Sequence, residues 1–282
     1  MARSVRTDLA VHHFGRPAGQ APTVVLLHGA IESALCWADA ITRWENDYHI
    51  VAVDARGHGE SPGLSRPEEA YFFSESMTTD MIAVLTDAAE AAGHPVLLIG
   101  HSMGARIAAF AAASVPHLVC GLVLEDPSWW VPEEGPNPWL SRDHQFDDPF
   151  DRVNEVSFAE LGDLVDKAYP NWSEAERRAL TKAMVQVDGE MMERRLYEKR
   201  RAWSPTARQL AHGRRRVPTM LLVGSHEVIV EEPSRDLLAE CAPEIEVVIV
   251  EGAGHCVRRD QPETYHRHVD AFLNTHSAGR AR

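Results

Sequence analysis

The chain has 282 residues, 44% hydrophobic and 25% charged, with a formal net charge of -14. That length and balance fit a soluble globular chain with one large domain, or a core domain carrying an insertion. The acidic total disfavours nucleic acid and anionic membrane as partners, because phosphates would be repelled.

The elements in chain order begin with Asp8 to Phe14, which reads as an antiparallel leading strand. Thr23-Val24-Val25-Leu26-Leu27 and Ile50-Val51-Ala52-Val53 are continuous apolar runs and read as buried strands. From Thr78 to Ala92 the spacing is helical, with Met81, Ile82, Leu85, Ala88, Ala89 and Ala92 on one face. Val96–Ile99 is a further buried strand, and Ala105 to Ala113 reads as a helix. Leu122–Leu124, Met220–Val223 and Val247–Val250 complete the strands. Buried strands alternating with helices predict an α/β fold with a mostly parallel, doubly wound sheet.

Between Pro127 and about Arg216 the rhythm breaks. Helical patterns run over Phe158–Ala168, Ser173–Val187 and Glu190–Trp203, and Ser173 with Glu176 reads as a capping box. We expect a helical cap at 127–216 inserted into a core formed by 1–126 and 217–282. Five of the seven tryptophans fall in it, and Trp129, Trp130 and Trp139 are expected to line a pocket for a bulky apolar or aromatic substrate. The basic runs Arg194-Arg195, Lys199-Arg200-Arg201 and Arg214-Arg215-Arg216 read as solvated helix faces and loop ends. His266-Arg267-His268 reads as partly exposed surface of the last helix.

Nothing after Met1-Ala2-Arg3 resembles a signal-peptide core, and no run of about 18 apolar residues occurs. Cys36, Cys120, Cys241 and Cys256 are scattered and match no zinc pattern. A reduced, cytoplasmic protein with no metal or organic cofactor is expected. Its partner would be a small-molecule ester or lactone, and the composition allows a homo-oligomer.

The most informative stretch is Gly100-His101-Ser102-Met103-Gly104, which joins the strand Val96–Ile99 to the helix that follows. A serine at the apex of a strand–turn–helix is held exposed, with helical N–H groups aimed where an oxyanion would form. A nucleophilic serine needs a base. His255, in Gly252-Ala253-Gly254-His255 just past the last apolar strand, reaches the same sheet edge because parallel strands end together. His28-Gly29-Ala30 ends the strand Thr23–Leu27, so the Ala30 and Met103 N–H groups form the expected oxyanion hole. His28 itself reads as a hydrogen-bonded structural residue.

With His28-Gly29, Asp54-Ala55-Arg56-Gly57-His58-Gly59-Glu60-Ser61, the Ser102 turn and Gly252–His255 in place, the chain resembles the α/β-hydrolase superfamily from about Pro22 to Leu273. The resemblance implies that the Asp54–Ser61 loop shapes the sheet edge and is not catalytic. It also implies an attacking serine, unlike the aspartate of dehalogenase and epoxide-hydrolase relatives. In most relatives the triad acid is an Asp after the strand corresponding to Met220–Val223; here that loop carries Glu227. Some relatives, including lactonases that open resorcylic macrolactones, place it after the earlier strand, and Asp126 stands there, 24 residues beyond Ser102. Asp126 is favoured for its short, well-fixed side chain at a strand end, with Glu227 the alternative. The expected activity is a serine carboxylesterase or lactonase. Thioesterase, carbon–carbon hydrolase or acyltransferase chemistry would use the same triad, and a low-turnover ligand-binding or sensor protein is the reading from another class.

Overall fold

The structure is a computed structural model and describes residues 2–3, 6–63, 73–129, 149–189 and 202–277. Among the described residues eight strands form one sheet: β1 (Ala2–Arg3), β2 (Ala10–Gly15), β3 (Thr23–Leu27), β4 (His49–Val53), β5 (Val96–His101), β6 (Val119–Glu125), β7 (Thr219–Gly224) and β8 (Glu246–Val250). Their order is β1-β2-β4-β3-β5-β6-β7-β8. β2 runs antiparallel to β4, with Val11 opposite Val53, whereas β4, β3, β5, β6, β7 and β8 are mutually parallel.

The uninterrupted apolar runs have the cause expected of them: every residue of β3, β4 and β5 is buried, because helices cover both faces. Strand alternation divides the side chains between two cores. Val25, Leu27 and Leu98 meet α2 (Phe73–Ala92) and α3 (Met103–Ser114) on one face. Val24, Leu26, Leu97 and Ile99 meet α1 (Ala38–Trp44) on the other. Six alanines of α3, Ala105, Ala108, Ala109, Ala111, Ala112 and Ala113, let it lie close against the sheet, and the helix is buried almost throughout.

Between β6 and β7 the described residues are helical. α4 (Phe158–Ala168) and α5 (Glu174–Met184) pack as a pair around Leu161, Val165, Trp172, Leu180 and Met184, with Cys36 of the core beneath them. α6 (Ser204–His212) packs differently: its Ala207, Leu210 and Ala211 join the core that contains α3. The helix expected over Glu190–Trp203 falls largely outside the described residues. The full reciprocal capping box lies at Ser157–Glu160 rather than Ser173–Glu176. Ser173 does accept the Glu176 N–H, but the Glu176 carboxylate turns away to Arg259 and the Asp39 N–H. After β7 come α7 (Glu232–Cys241), a single turn α8 (Val257–Asp260) and α9 (Pro262–His276). His266 corrects the expectation for α9: it is buried, edge-on to Trp44, and only Arg267 of the triplet is exposed.

Chain order reverses direction across the sheet between β3 and β5. The carboxyl ends of these two neighbours therefore diverge into separate loops, which is where open α/β sheets bind ligands. His28–Ala30 leaves β3 there and Ser102 leaves β5.

Candidate active site

Ser102 sits between β5 and α3 with φ 52° and ψ −117°, a backbone conformation that L-residues rarely adopt. The surroundings hold it there. A Cβ on Gly100 would stand 2.6 Å from Ala105 Cα, and one on Gly104 would stand 2.4 Å from the carbonyl oxygens of Leu27 and His28. Both glycines are thus required by close backbone approach. The second approach also presses the first turn of α3 onto the loop after β3.

His255 follows β8 and lies beside this turn. Its ring centroid is 4.8 Å from that of His101, the residue before Ser102, and its carbonyl oxygen is 3.2 Å from His101 Nε2. His255 Nδ1 is 2.5 Å from Asp126 Oδ2. An ionised carboxylate only accepts, so Nδ1 carries the proton and Nε2 is left as the basic nitrogen. Asp126 is fully buried at the end of β6, with φ 36°. It also accepts the N–H groups of Ile229 and Val230, at 2.9 and 3.0 Å. Three donors satisfy a carboxylate that burial would otherwise make costly. Glu227 lies in the loop that supplies two of those donors, but its own side chain is exposed. The structure brings together Ser102, His255 and Asp126, and leaves Glu227 outside the group.

His28 is buried; its Nδ1–H donates to the Gly29 carbonyl at 2.7 Å and its Nε2 accepts the Ala55 N–H at 3.0 Å. Asp54 fastens the loop after β4. It accepts the Ala34 and Glu60 N–H groups at 2.7 and 3.0 Å and faces His12 Nε2 at 3.0 Å. Burial opposes its charge, but the contact with His12 and these backbone donors lower its pKa to about 2. Asp54 and His58 do not converge on a common point: His58 turns its ring nitrogens to the Arg56 and Ala30 carbonyl oxygens. Trp129 is fully buried and stacked on Trp203 at 5.1 Å, and Trp172 is buried between α4 and α5. All three tryptophans are buried among the described residues. Trp130 and Trp139 lie outside the described residues.

A buried charge cluster behind the site escaped the sequence reading. Arg258 Nη1 donates to Glu125 Oε2 at 2.9 Å, while Arg259 Nε donates to Glu176 Oε2 at 2.7 Å. Both guanidinium groups also reach Glu32, at 3.1 and 2.5 Å. Arg258 lies 4.2 Å over the Trp37 ring and Arg259 4.6 Å over Trp172. Burial works against charge on Glu32, but Arg259 and Arg258 hold its carboxyl well below the usual carboxylate range. The signal was visible in two places: a glutamate ending the apolar strand Leu122–Leu124, and two adjacent arginines three residues beyond His255.

A mostly parallel, doubly wound sheet with Ser102, His255 and Asp126 gathered at its carboxyl edge is the arrangement of an α/β hydrolase. A family model described as serine aminopeptidase, S33 matches residues 19–262, and the chain belongs to this family of the α/β-hydrolase superfamily. Among full-length relatives, it is 27% identical over 266 residues to 2-(acetamidomethylene)succinate hydrolase of Mesorhizobium japonicum, covering 92% of this chain and 90% of the relative. It is 26% identical over 279 residues to N-formylmaleamate deformylase of Pseudomonas putida, covering 93% and 92%. Its fold matches the crystal structure of an N-formylmaleamic acid deformylase from Pseudomonas putida S16 with a TM-score of 0.72, at 21% identity and covering 92% and 94% of the two chains. The protein is a hydrolase.

Proposed function

We propose that this hydrolase cleaves a carboxylic ester or lactone through an acyl-enzyme on Ser102. His255 Nε2 takes the hydroxyl proton as Ser102 Oγ attacks the carbonyl carbon. The Ala30 and Met103 N–H groups receive the tetrahedral oxyanion. The oxyanion collapses, the bond to the leaving oxygen breaks, and His255 returns the proton to it. Water, deprotonated by the same nitrogen, then attacks the acyl carbon; the bond to Ser102 Oγ breaks, His255 returns the proton to that oxygen, and the carboxylic acid leaves. Asp126 fixes the imidazole tautomer and stabilises the imidazolium formed at each step. The scheme uses no metal or organic cofactor.

The observation that carries this reading is the 2.5 Å contact of a fully buried Asp126 with His255, beside a serine at φ 52°. In the same reading residues 127–216 include a cap, supported by the α4–α5 pair packed over the segment that follows His28–Ala30.

A second reading has its own support. The full-length relatives named above act on an acetamido compound and on an N-formyl amide. The scissile bond would then be an amide, with nitrogen rather than oxygen as leaving atom and the same residues in the same roles.

A fluorophosphonate probe and a substrate panel test both. The intact protein is expected to be labelled at one site, and Ser102→Ala to be unlabelled. Hydrolysis of p-nitrophenyl esters and simple lactones at a higher kcat/KM than N-acyl amides supports the ester reading; the reverse order supports the amide. A folded protein that takes up no label overturns the serine mechanism.

A further inference from the structure

The buried charge cluster contains one carboxylate more than its ion pairs require. Glu125 pairs with Arg258 and Glu176 with Arg259, so two acids already balance two bases. Glu32 is the third acid, and it is 3% exposed. It lies three residues beyond Gly29, on the loop that leaves β3. Its Oε1 accepts from Arg258 and Arg259, and its Oε2, which Arg258 Nη2 also reaches at 3.3 Å, faces the loop. There Oε2 accepts the Gly29 N–H at 2.7 Å and stands 3.2 Å from His101 Nδ1. The opposite nitrogen of His101 reaches the His255 carbonyl oxygen at 3.2 Å. A single carboxylate therefore touches the loop after β3, the residue before Ser102, and the helical turn that follows His255.

The Gly29 N–H precedes the Ala30 N–H by one residue. Holding the first fixes the peptide that precedes the Gly29–Ala30 plane, and that plane is itself held at its Gly29 carbonyl oxygen, which accepts the His28 Nδ1–H at 2.7 Å. The peptide that follows is held by His58, whose Nε2 is 2.5 Å from the Ala30 carbonyl oxygen. The fit is close: a Cβ on Gly29 would stand 2.8 Å from His101 Nδ1 and 3.2 Å from Glu32 Oε2.

We propose that Glu32 is a positioning residue for the oxyanion donors: by gripping the Gly29 N–H and His101 while anchored to Arg258 and Arg259, it aims the Ala30 N–H at the carbonyl attacked by Ser102. This rests on the serine-hydrolase reading above. It differs from a purely structural role, because Arg258 and Arg259 keep Glu125 and Glu176 when Glu32 is neutralised. The cost of a stranded buried charge is then avoided, and the loss falls on geometry. A displaced oxyanion donor costs about 100-fold in rate.

The test uses the full chain with Glu32→Gln, which removes the charge, and Glu32→Asp, which keeps it but draws the carboxylate back by one methylene. The probe is a fluorophosphonate that phosphonylates Ser102, with its maximal labelling rate and its half-saturating concentration measured separately. Hydrolysis of p-nitrophenyl butyrate is followed in parallel, per titrated site. The proposal expects the maximal labelling rate to fall about 100-fold in both variants, with half-saturation moving less than threefold and the folded fraction unchanged at 25 °C. Labelling of both variants within threefold of the parent rate overturns it. So does a loss that tracks only the unfolded fraction, which would make Glu32 a stabilising residue alone. If the parent protein itself is not labelled, the serine-hydrolase reading fails first, and that result is distinct from the other two.

Discussion

The loops after β6 and β7 leave neighbouring strands at the same sheet edge, and each carries a carboxylate. Asp126 and Glu227 even share a positive φ, 36° and 50°. They differ in their donors. Asp126 is buried, and its carboxylate is filled by the His255 ring and by two N–H groups from the β7 loop. Glu227 is exposed, and its loop contributes backbone to its neighbour's acid instead of an acid of its own. The position usual for the acid in such folds has here become the socket for an acid from the strand before it. An acid is therefore placed by the backbone donors aimed at it as much as by its own position in the chain.

The comparison breaks first on substitution. Asp126→Asn keeps the shape of the side chain but presents an amide to His255, and a wrong imidazole tautomer costs about 10⁴-fold in kcat in triads of this kind. We expect a loss of that size in ester turnover. Full activity in Asp126→Asn with a collapse in Glu227→Gln would reverse the assignment.

A pH profile sharpens it, once the pH dependence of the fold itself is known. Burial, with Arg43 nearby, lowers the pKa of His266 to about 4 from an ordinary 6.5. The unfolded chain takes up this proton first. The contribution is therefore complete above about pH 6.5 and is lost as pH falls towards about 4, amounting to about 3 kcal/mol by linkage. Thermal midpoints measured from pH 7 to pH 4.5 should decline, and less steeply in His266→Gln. An equal slope in the variant would place the acid sensitivity elsewhere.

Gly104→Ala tests the close approach that holds the Ser102 turn. Its Cβ would meet two carbonyl oxygens at 2.4 Å, and overpacking of this kind costs about 2 kcal/mol. A melting temperature lower by several degrees is expected, with a loss of activity as α3 moves off the loop after β3. Smallest of all should be Glu227→Gln: within twofold of the parent in kcat, and within about 0.5 kcal/mol in stability by urea melts, as for other exposed positions.

The sheet was legible because buried parallel strands are written as unbroken apolar runs, and Thr23–Leu27 and Val96–Ile99 have no other convincing reading. Ser102 and His255 were legible because glycines mark the turns that carry them. The choice between Asp126 and Glu227 could be weighed but not closed, since the deciding donors are the N–H groups of Ile229 and Val230, and every residue but proline has one. The charge cluster was missed for a related reason. Glu32, Glu176 and Arg258 stand far apart in the chain, and each alone looks like a surface residue. His266 was misread because a polar triplet on a late helix suggests solvent, whereas Trp44 comes from far away to cover it. Glu176 was read correctly as to its cap but not as to its carboxylate, which a distant arginine takes instead.

The depth of the Glu32–Arg258–Arg259 contacts has a consequence for the medium in which this enzyme works. Dissolved ions weaken attraction between charges they can come between, over about 8 Å at physiological ionic strength. They can reach the exposed pair of Arg178 and Glu174 on α5, but not guanidinium groups buried under Trp37 and Trp172. Added salt should therefore loosen the outer surface of the helical pair while the three loops around Ser102 keep their mutual arrangement, so that the geometry of the reacting edge is the same in dilute buffer and in brine.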